Sequence, residues 1–195
     1  MKTSQNLETL SGDFFDNFKF ATESKWLVQA IDRTIYGFQF QPGTRWNHGL
    51  SEHELTEYQH VLGVHFPRDL KAFLARMNGT DLPTVNVYGS SGQPEQKSVG
   101  VYSYPRDLDS IRQRVADVHE NRPAIAHELA DQGFSLPAEA ALVPIFANRY
   151  IVCVPGLETT VVLSIAVHDT DAIVYANSLE EYLEKEFLRA RVAQT

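Results

Sequence analysis

This sequence predicts an α+β fold in which a largely antiparallel sheet packs against N-terminal, middle and C-terminal helices. Three observations carry that prediction. Apolar residues recur at helical spacing through residues 1–31. Between Gly49 and Gly79 lie two short helices with complete start and stop signals. From Leu142 onward the period changes to that of hairpin-linked strands.

Each element has its own reason. In residues 1–31, Leu7, Leu10, Phe14, Phe15 and Phe18 fall at helical spacing, and Trp26, Leu27, Ala30 and Ile31 do so again. Residues 36–40 alternate and stop at Pro42-Gly43, which reads as a short strand and turn. In the stretch GLSEHELTEYQHVLGVHFPRDLKAFLARMNG, Ser51 is an N-cap and Glu54, three residues on, completes a capping box. Leu55, Tyr58 and Leu62 share one face of that helix, and Gly63 stops it. Pro67 suits the first turn of a second helix, where its missing N–H has no partner to lose. Leu70, Phe73, Leu74 and Met77 repeat at i, i+3, i+4 and i+7, so they are expected to face the core. Asn78-Gly79 is expected to form the left-handed exit.

Beyond the helix pair, residues 84–88 read as a strand and 98–102 as its return, with the 89–96 loop the best candidate for disorder. A third helical region starts near Asp109 with Ile111, Val115 and Val118 inward, and residues 127–133 add a turn or two. Residues 142–146 and 149–154 form a hairpin about Ala147-Asn148. Residues 161–167 and 172–176 form another about residues 168–171. There is no internal repeat or interdomain linker, so residues 1–195 are expected to form a single domain.

Composition narrows the function classes. A chain of 195 residues can bury roughly 70% of the surface it exposes when unfolded. With 43% hydrophobic and 22% charged residues, it has the make-up of an ordinary soluble globular protein. The lone Cys153 sits in the apolar run 150–154, which excludes an internal disulfide and points to a buried, unreactive thiol in a reducing compartment. The N-terminal residues lack the apolar core of a signal peptide, and apolar stretches such as 161–167 are too short to span a bilayer. A cytoplasmic location away from membranes is expected. The net charge of −8, from 17 basic and 25 acidic residues, argues against nucleic-acid binding. It suits a soluble protein or one with a basic partner.

The sequence offers little chemistry. His53, Glu57 and His60 share an exposed helical face at i, i+4 and i+7, but the spacing matches no H-E-x-x-H or paired-carboxylate motif. Polar residues are expected on a solvent face in any case. No nucleophile elbow surrounds Ser90, Ser91 or Ser164. His168, Asp169 and Asp171 read as turn formers. Gly89-Ser90-Ser91-Gly92 lacks the Lys and the following helix of a phosphate loop. No catalytic residue, metal or cofactor is therefore expected.

Several stretches in order resemble the SUKH superfamily, named for yeast cell-wall-synthesis regulators and bacterial immunity proteins. Trp46 and Gly49 precede the first capped helix, and Phe66-Pro67-Arg68-Asp69-Leu70 through Asn78-Gly79 resembles its "lG…fP.d…fl…nG" pattern. Leu142-Val143-Pro144-Ile145-Phe146 and Arg149-Tyr150 resemble its later strands, and Ser178-Leu179-Glu180-Glu181-Tyr182-Leu183 its closing helix. Bacterial members often carry His before the Arg-Tyr pair, where this chain has Asn148. The resemblance covers about residues 45–187 and leaves 1–31 as a helical N-terminal extension.

That resemblance implies a non-enzymatic module that binds and neutralises a toxin, often a nuclease. The alternatives are a regulatory scaffold and an enzyme with an atypical site. A protein partner, such as a basic toxin domain, is expected to meet the acidic stretch holding Glu52, Glu54 and Glu57, which has no Lys or Arg through Phe66. Trp46, Tyr102, Tyr104, Arg106, Arg149 and Tyr150 are residue types that anchor interfaces. The competing reading buries the aromatics and pairs the arginines with carboxylates; it is preferred for Trp46 and Tyr150. Arg149, at a hairpin bend, is expected to be exposed. The partner-binding candidates are Glu52, Glu57, Arg149, Tyr150, Trp46 and Tyr104.

Overall fold

Helical spacing near the N-terminus produces a long helix, α1 (Thr3–Val28). In this computed structural model, which describes residues 3–87, 96–157, 160–167 and 171–189, Phe15, Phe18, Thr22 and Trp26 of α1 are buried. The helix ends before Ala30 and Ile31, and Leu27 departs from expectation by facing outward, 65% exposed. Its position lies about 100° around the helix from Trp26 and about 120° from Phe15, off the buried stripe, so apolar character alone does not place it inward. Strand β1 (Gly37–Phe40) follows, then β2 (Trp46–His48).

The helix pair forms largely as its signals dictate. In α2 (Glu52–Leu62) the Ser51 hydroxyl accepts from the Glu54 N–H, and Glu54 Oε2 accepts from the Ser51 N–H at 2.8 Å. Gly63, with φ 66°, supplies the left-handed stop. In α3 (Arg68–Leu74), Leu70, Phe73 and Leu74 are buried, and so is Met77. Met77, however, opens a strand, β3 (Met77–Thr80), which pairs antiparallel with β2. A buried residue at i+7 satisfies helical periodicity without being in the helix. Gly79 does have a positive φ, +71°, but inside β3 and not at a helix exit. A Cβ there would lie 2.6 Å from the carbonyl oxygens of Val101 and Tyr102, so both the conformation and the backbone crossing require glycine.

Among the described residues the strands fall into three antiparallel sheets. β4 (Thr84–Val87) lies between β1 and β5 (Gln96–Ser98). The return strand thus ends earlier than expected. Residues 99–102 leave the ladder and bridge sheets instead, with Thr80 N–H donating to Val101 O at 3.2 Å and Tyr102 N–H to Ile145 O at 3.0 Å. Most of the loop proposed for disorder, residues 89–95, lies outside the described residues.

The third sheet is the hairpin-linked run β6 (Ala141–Phe146), β7 (Arg149–Cys153), β8 (Val162–Ala166) and β9 (Asp171–Ala176). Ala147, φ 48°, makes the tight turn between β6 and β7. Residues 168–170 of the second turn lie outside the described residues.

Two helices cover one face of this sheet, α4 (Leu108–Glu120) and α5 (Arg122–Asp131). α5 is longer than the turn or two expected, because Ile125 and Leu129 bury fully one helical turn apart against Leu142, Tyr150 and Leu163. The other face, through Val143, Ile145 and Ile151, joins the larger core with α1, α2 and α3. The chain closes with α6 (Leu179–Leu183), capped by Ser178, and a π-helical turn at Glu184–Leu188 that buries Phe187.

Two substitutions test this packing by chemical denaturation. Leu74→Ala should cost ~2–5 kcal/mol, from lost transfer energy plus the cavity left behind. Gly79→Ala should cost more than about 1 kcal/mol, since an added Cβ must escape both the strained φ and two backbone carbonyls. A cost below about 0.5 kcal/mol for either would contradict the packing described.

Candidate functional site

The outward side of α2 is acidic because its inward side is fully committed. Leu55 and Tyr58 point into the core, while Glu52, His53, Thr56, Glu57 and His60 are exposed. Glu54 is also exposed but is held by the capping box, and bonds from the Ser51 hydroxyl and N–H keep its carboxyl below the usual carboxylate range. Tyr58 anchors the helix from beneath, stacked on Tyr104 at 4.5 Å and edge-on to Phe66 at 5.0 Å. From Ser51 to Phe66 there is no Lys or Arg. Glu52 and Glu57 thus stand as exposed carboxylates on a firmly anchored helix, Glu57 beside the Tyr104 hydroxyl, with Arg112 of α4 reaching Val61 O at the far end of α2.

The aromatic candidates belong elsewhere. Trp46 is buried among Phe18, Trp26, Phe73 and Phe187, and its indole N–H donates to Thr22 Oγ1 at 2.8 Å. Tyr104 is buried, its backbone clamped by the Asn78 side chain, which accepts from Tyr104 N–H at 2.9 Å and donates to Tyr104 O at 2.6 Å. Tyr150 is fully buried under α4. These three shape the surface from below and cannot anchor a partner directly. Burial of large rings in the core outweighs their preference for interfaces.

Arg149 is the main correction. The hairpin bend suggested exposure, yet its side chain is only 17% exposed and pairs with Glu186, 7% exposed, at 3.2 Å. It also donates to Ser164 Oγ at 2.8 Å and to Asn148 Oδ1, and its guanidinium lies 3.8 Å over the Tyr175 ring. Lys185 approaches the same ring at 4.0 Å. This network clips the β6–β7 hairpin to the C-terminal turn. Asn148 is part of the clip. Nothing local in the sequence marks Glu186 as the partner, because the pair closes over a separation of 37 residues.

The remaining chemistry is spare. No group of three or more His, Cys, Asp or Glu able to hold a metal occurs among the described residues. Cys153 is buried, and burial pushes its thiol far above its ordinary value, which disfavours the nucleophilic thiolate. Burial likewise raises the Asp69 carboxyl, but Asp69 is a structural acceptor: its Oδ2 takes bonds from Thr160 N–H at 3.0 Å and Thr160 Oγ1 at 2.8 Å. Among the described residues, no helix is long and apolar enough to cross a membrane.

Two measurements test these assignments. Arg149→Ala should destabilise by ~3–5 kcal/mol, because it strands the buried Glu186 charge. Adding Glu186→Gln to that variant should recover much of the loss; no recovery would show the pair to be unimportant. Replacing His53 and His60 together with Gln should change stability by no more than about 0.5 kcal/mol, as for ordinary surface positions. Stoichiometric zinc in untagged protein, lost in that double variant, would overturn the reading of a metal-free face.

A search of curated proteins finds no match to this chain. The model of the SMI1 / KNR4 family (SUKH-1) matches residues 49–185, from the start of the capped helix pair to the C-terminal turn, and leaves α1, β1 and β2 outside it. That match spans well over half the chain and carries the α+β arrangement described above: the chain belongs to the SMI1 / KNR4 family (SUKH-1), a family of immunity and regulatory proteins.

Proposed function

We propose that this protein is a non-catalytic binding module of the immunity type, which neutralises a basic toxin domain by direct contact. The observation that supports this most is the outer side of α2, where Glu52 and Glu57 are exposed with no cation between Ser51 and Phe66. Such a surface attracts a basic partner over a Debye length of about 8–10 Å at ordinary salt and speeds encounter. The capping box and the Tyr58–Tyr104 stack fix the helix beneath it, so little ordering is required on binding. A nuclease domain, whose own site must attract phosphates, presents the complementary charge. The acidic balance of the whole chain, −8, works in the same direction.

Kinetics with a purified toxin partner test the proposal. Reversing Glu52 and Glu57 to Lys should slow association about tenfold at low salt while leaving the melting transition in place, and the difference should shrink as salt rises. Glu54 is spared because its capping role would confound the result. Equal association rates for wild type and the double reversal at low salt would exclude this helix as the steering surface. Absence of protection when the protein is co-expressed with the toxin of its own locus would count against the immunity reading and favour a regulatory scaffold.

A further inference from the structure

Among the described residues, Arg114 is a part-buried cation with no carboxylate partner. Arg114 lies on the inner side of α4, between Ile111 and Val118, where the helix packs on the four-stranded sheet. Its guanidinium is half-buried, and its partners are phenols: Nη1 is 3.3 Å from Tyr150 Oη, and Cζ is 5.7 Å from the centre of the Tyr102 ring. Tyr150 is fully buried and Tyr102 is 8% exposed. Other arginines are matched differently. Arg149 pairs with Glu186, Arg106 with Asp107, and Arg122 donates to the carbonyls of Pro137 and Ala140.

Carboxylates near Arg114 in sequence are engaged elsewhere. Asp117, one turn along α4, accepts from Gln113 Nε2 at 2.8 Å. Asp107 accepts from Arg106 and from the Ser103 N–H. Among the described residues, none forms an ion pair with Arg114. A guanidinium carries five N–H donors in a planar fork, and a phenol 3.3 Å away engages one of them weakly. Partial removal of a cation from water without an anion is costly, whereas a two-oxygen anion would meet the fork with paired, charge-assisted bonds. Burial also raises the Tyr102 hydroxyl above its ordinary value, so it stays protonated and able to donate to the same anion.

We infer that Arg114, backed by the buried Tyr150 hydroxyl and flanked by that of Tyr102, forms an oxyanion-binding site at the edge of the α4–sheet interface, suited to a phosphate or carboxylate group. The site is separate from the carboxylates of α2 and opposite to them in charge. It would take an anionic group of a small ligand or an acidic side chain of a bound protein, which the acidic surface elsewhere would repel.

The test is thermal melting of the whole chain in chloride, inorganic phosphate or acetate at matched ionic strength. Phosphate up to about 10 mM should raise the melting temperature with saturation, as expected for a site of roughly millimolar affinity. Arg114→Gln should abolish that rise. Arg114→Lys should retain only part of it, since a point charge cannot make the paired bonds. Tyr102→Phe keeps the ring and should weaken the apparent affinity several-fold, which gives a reading even if the arginine variants fold poorly. A response to phosphate alone assigns phosphate ligands, and a response to acetate as well assigns carboxylates. No saturating rise in either anion, or an equal rise in Arg114→Gln and Tyr102→Phe, would overturn the inference.

Discussion

Phe187 joins the two ends of the described chain in one aromatic cluster. Its ring meets Phe18 and Trp26 of α1, Phe40 of β1, Trp46 of β2, Phe146 of β6 and Tyr182 of α6, at centroid distances from 5.5 to 6.3 Å. Each such pair adds roughly 0.5–1.5 kcal/mol beyond the burial of its area. Four of these six rings come from residues that precede the matched family region. The segment before the match, α1 together with β1 and β2, therefore supplies much of the wall around the closing turn. Lys25 of α1 reinforces the contact by donating to Phe187 O at 2.7 Å.

The same turn also buries an ion pair. Its widened, π-helical geometry carries Phe187 inward while Glu186 reaches Arg149 across the sheet. With Trp46, Tyr104 and Tyr150 all drawn into packing, the aromatic anchors that usually dominate protein interfaces are unavailable on this side of the molecule. What α2 presents instead is electrostatic, and electrostatics governs encounter rate and partner choice more than residence time.

Local signals made much of the fold legible. The capping box at Ser51 and Glu54, the stop at Gly63 and the turn at Ala147-Asn148 are each determined within a few residues, and each forms where expected. Met77 shows the limit: its burial was legible, but its place in a strand depends on pairing with β2, some 30 positions away. The acidic side of α2 was likewise legible, because exposure follows from helical phase once the buried side is known. Arg149 was misplaced and Arg114 went unmarked for one reason. Both environments are built by segments distant in sequence, which no periodicity records. An arginine at i+3 from Ile111 and i−4 from Val118, on the buried side of α4, is the one signal that could have flagged the second.

The N-terminal helix and the family core share one cooperative structure through the aromatic cluster at Phe187. Native-state hydrogen exchange measures this directly, because each amide reports the free energy of the opening that exposes it. The amides of Phe18, Thr22 and Trp26 should exchange with the same free energy as those of Ile151 and Val152 in the central strand β7, and respond to denaturant with the same slope. Exchange of the α1 amides through a separate, lower-energy opening would contradict it, and would make the extension an accessory to a core that stands without it.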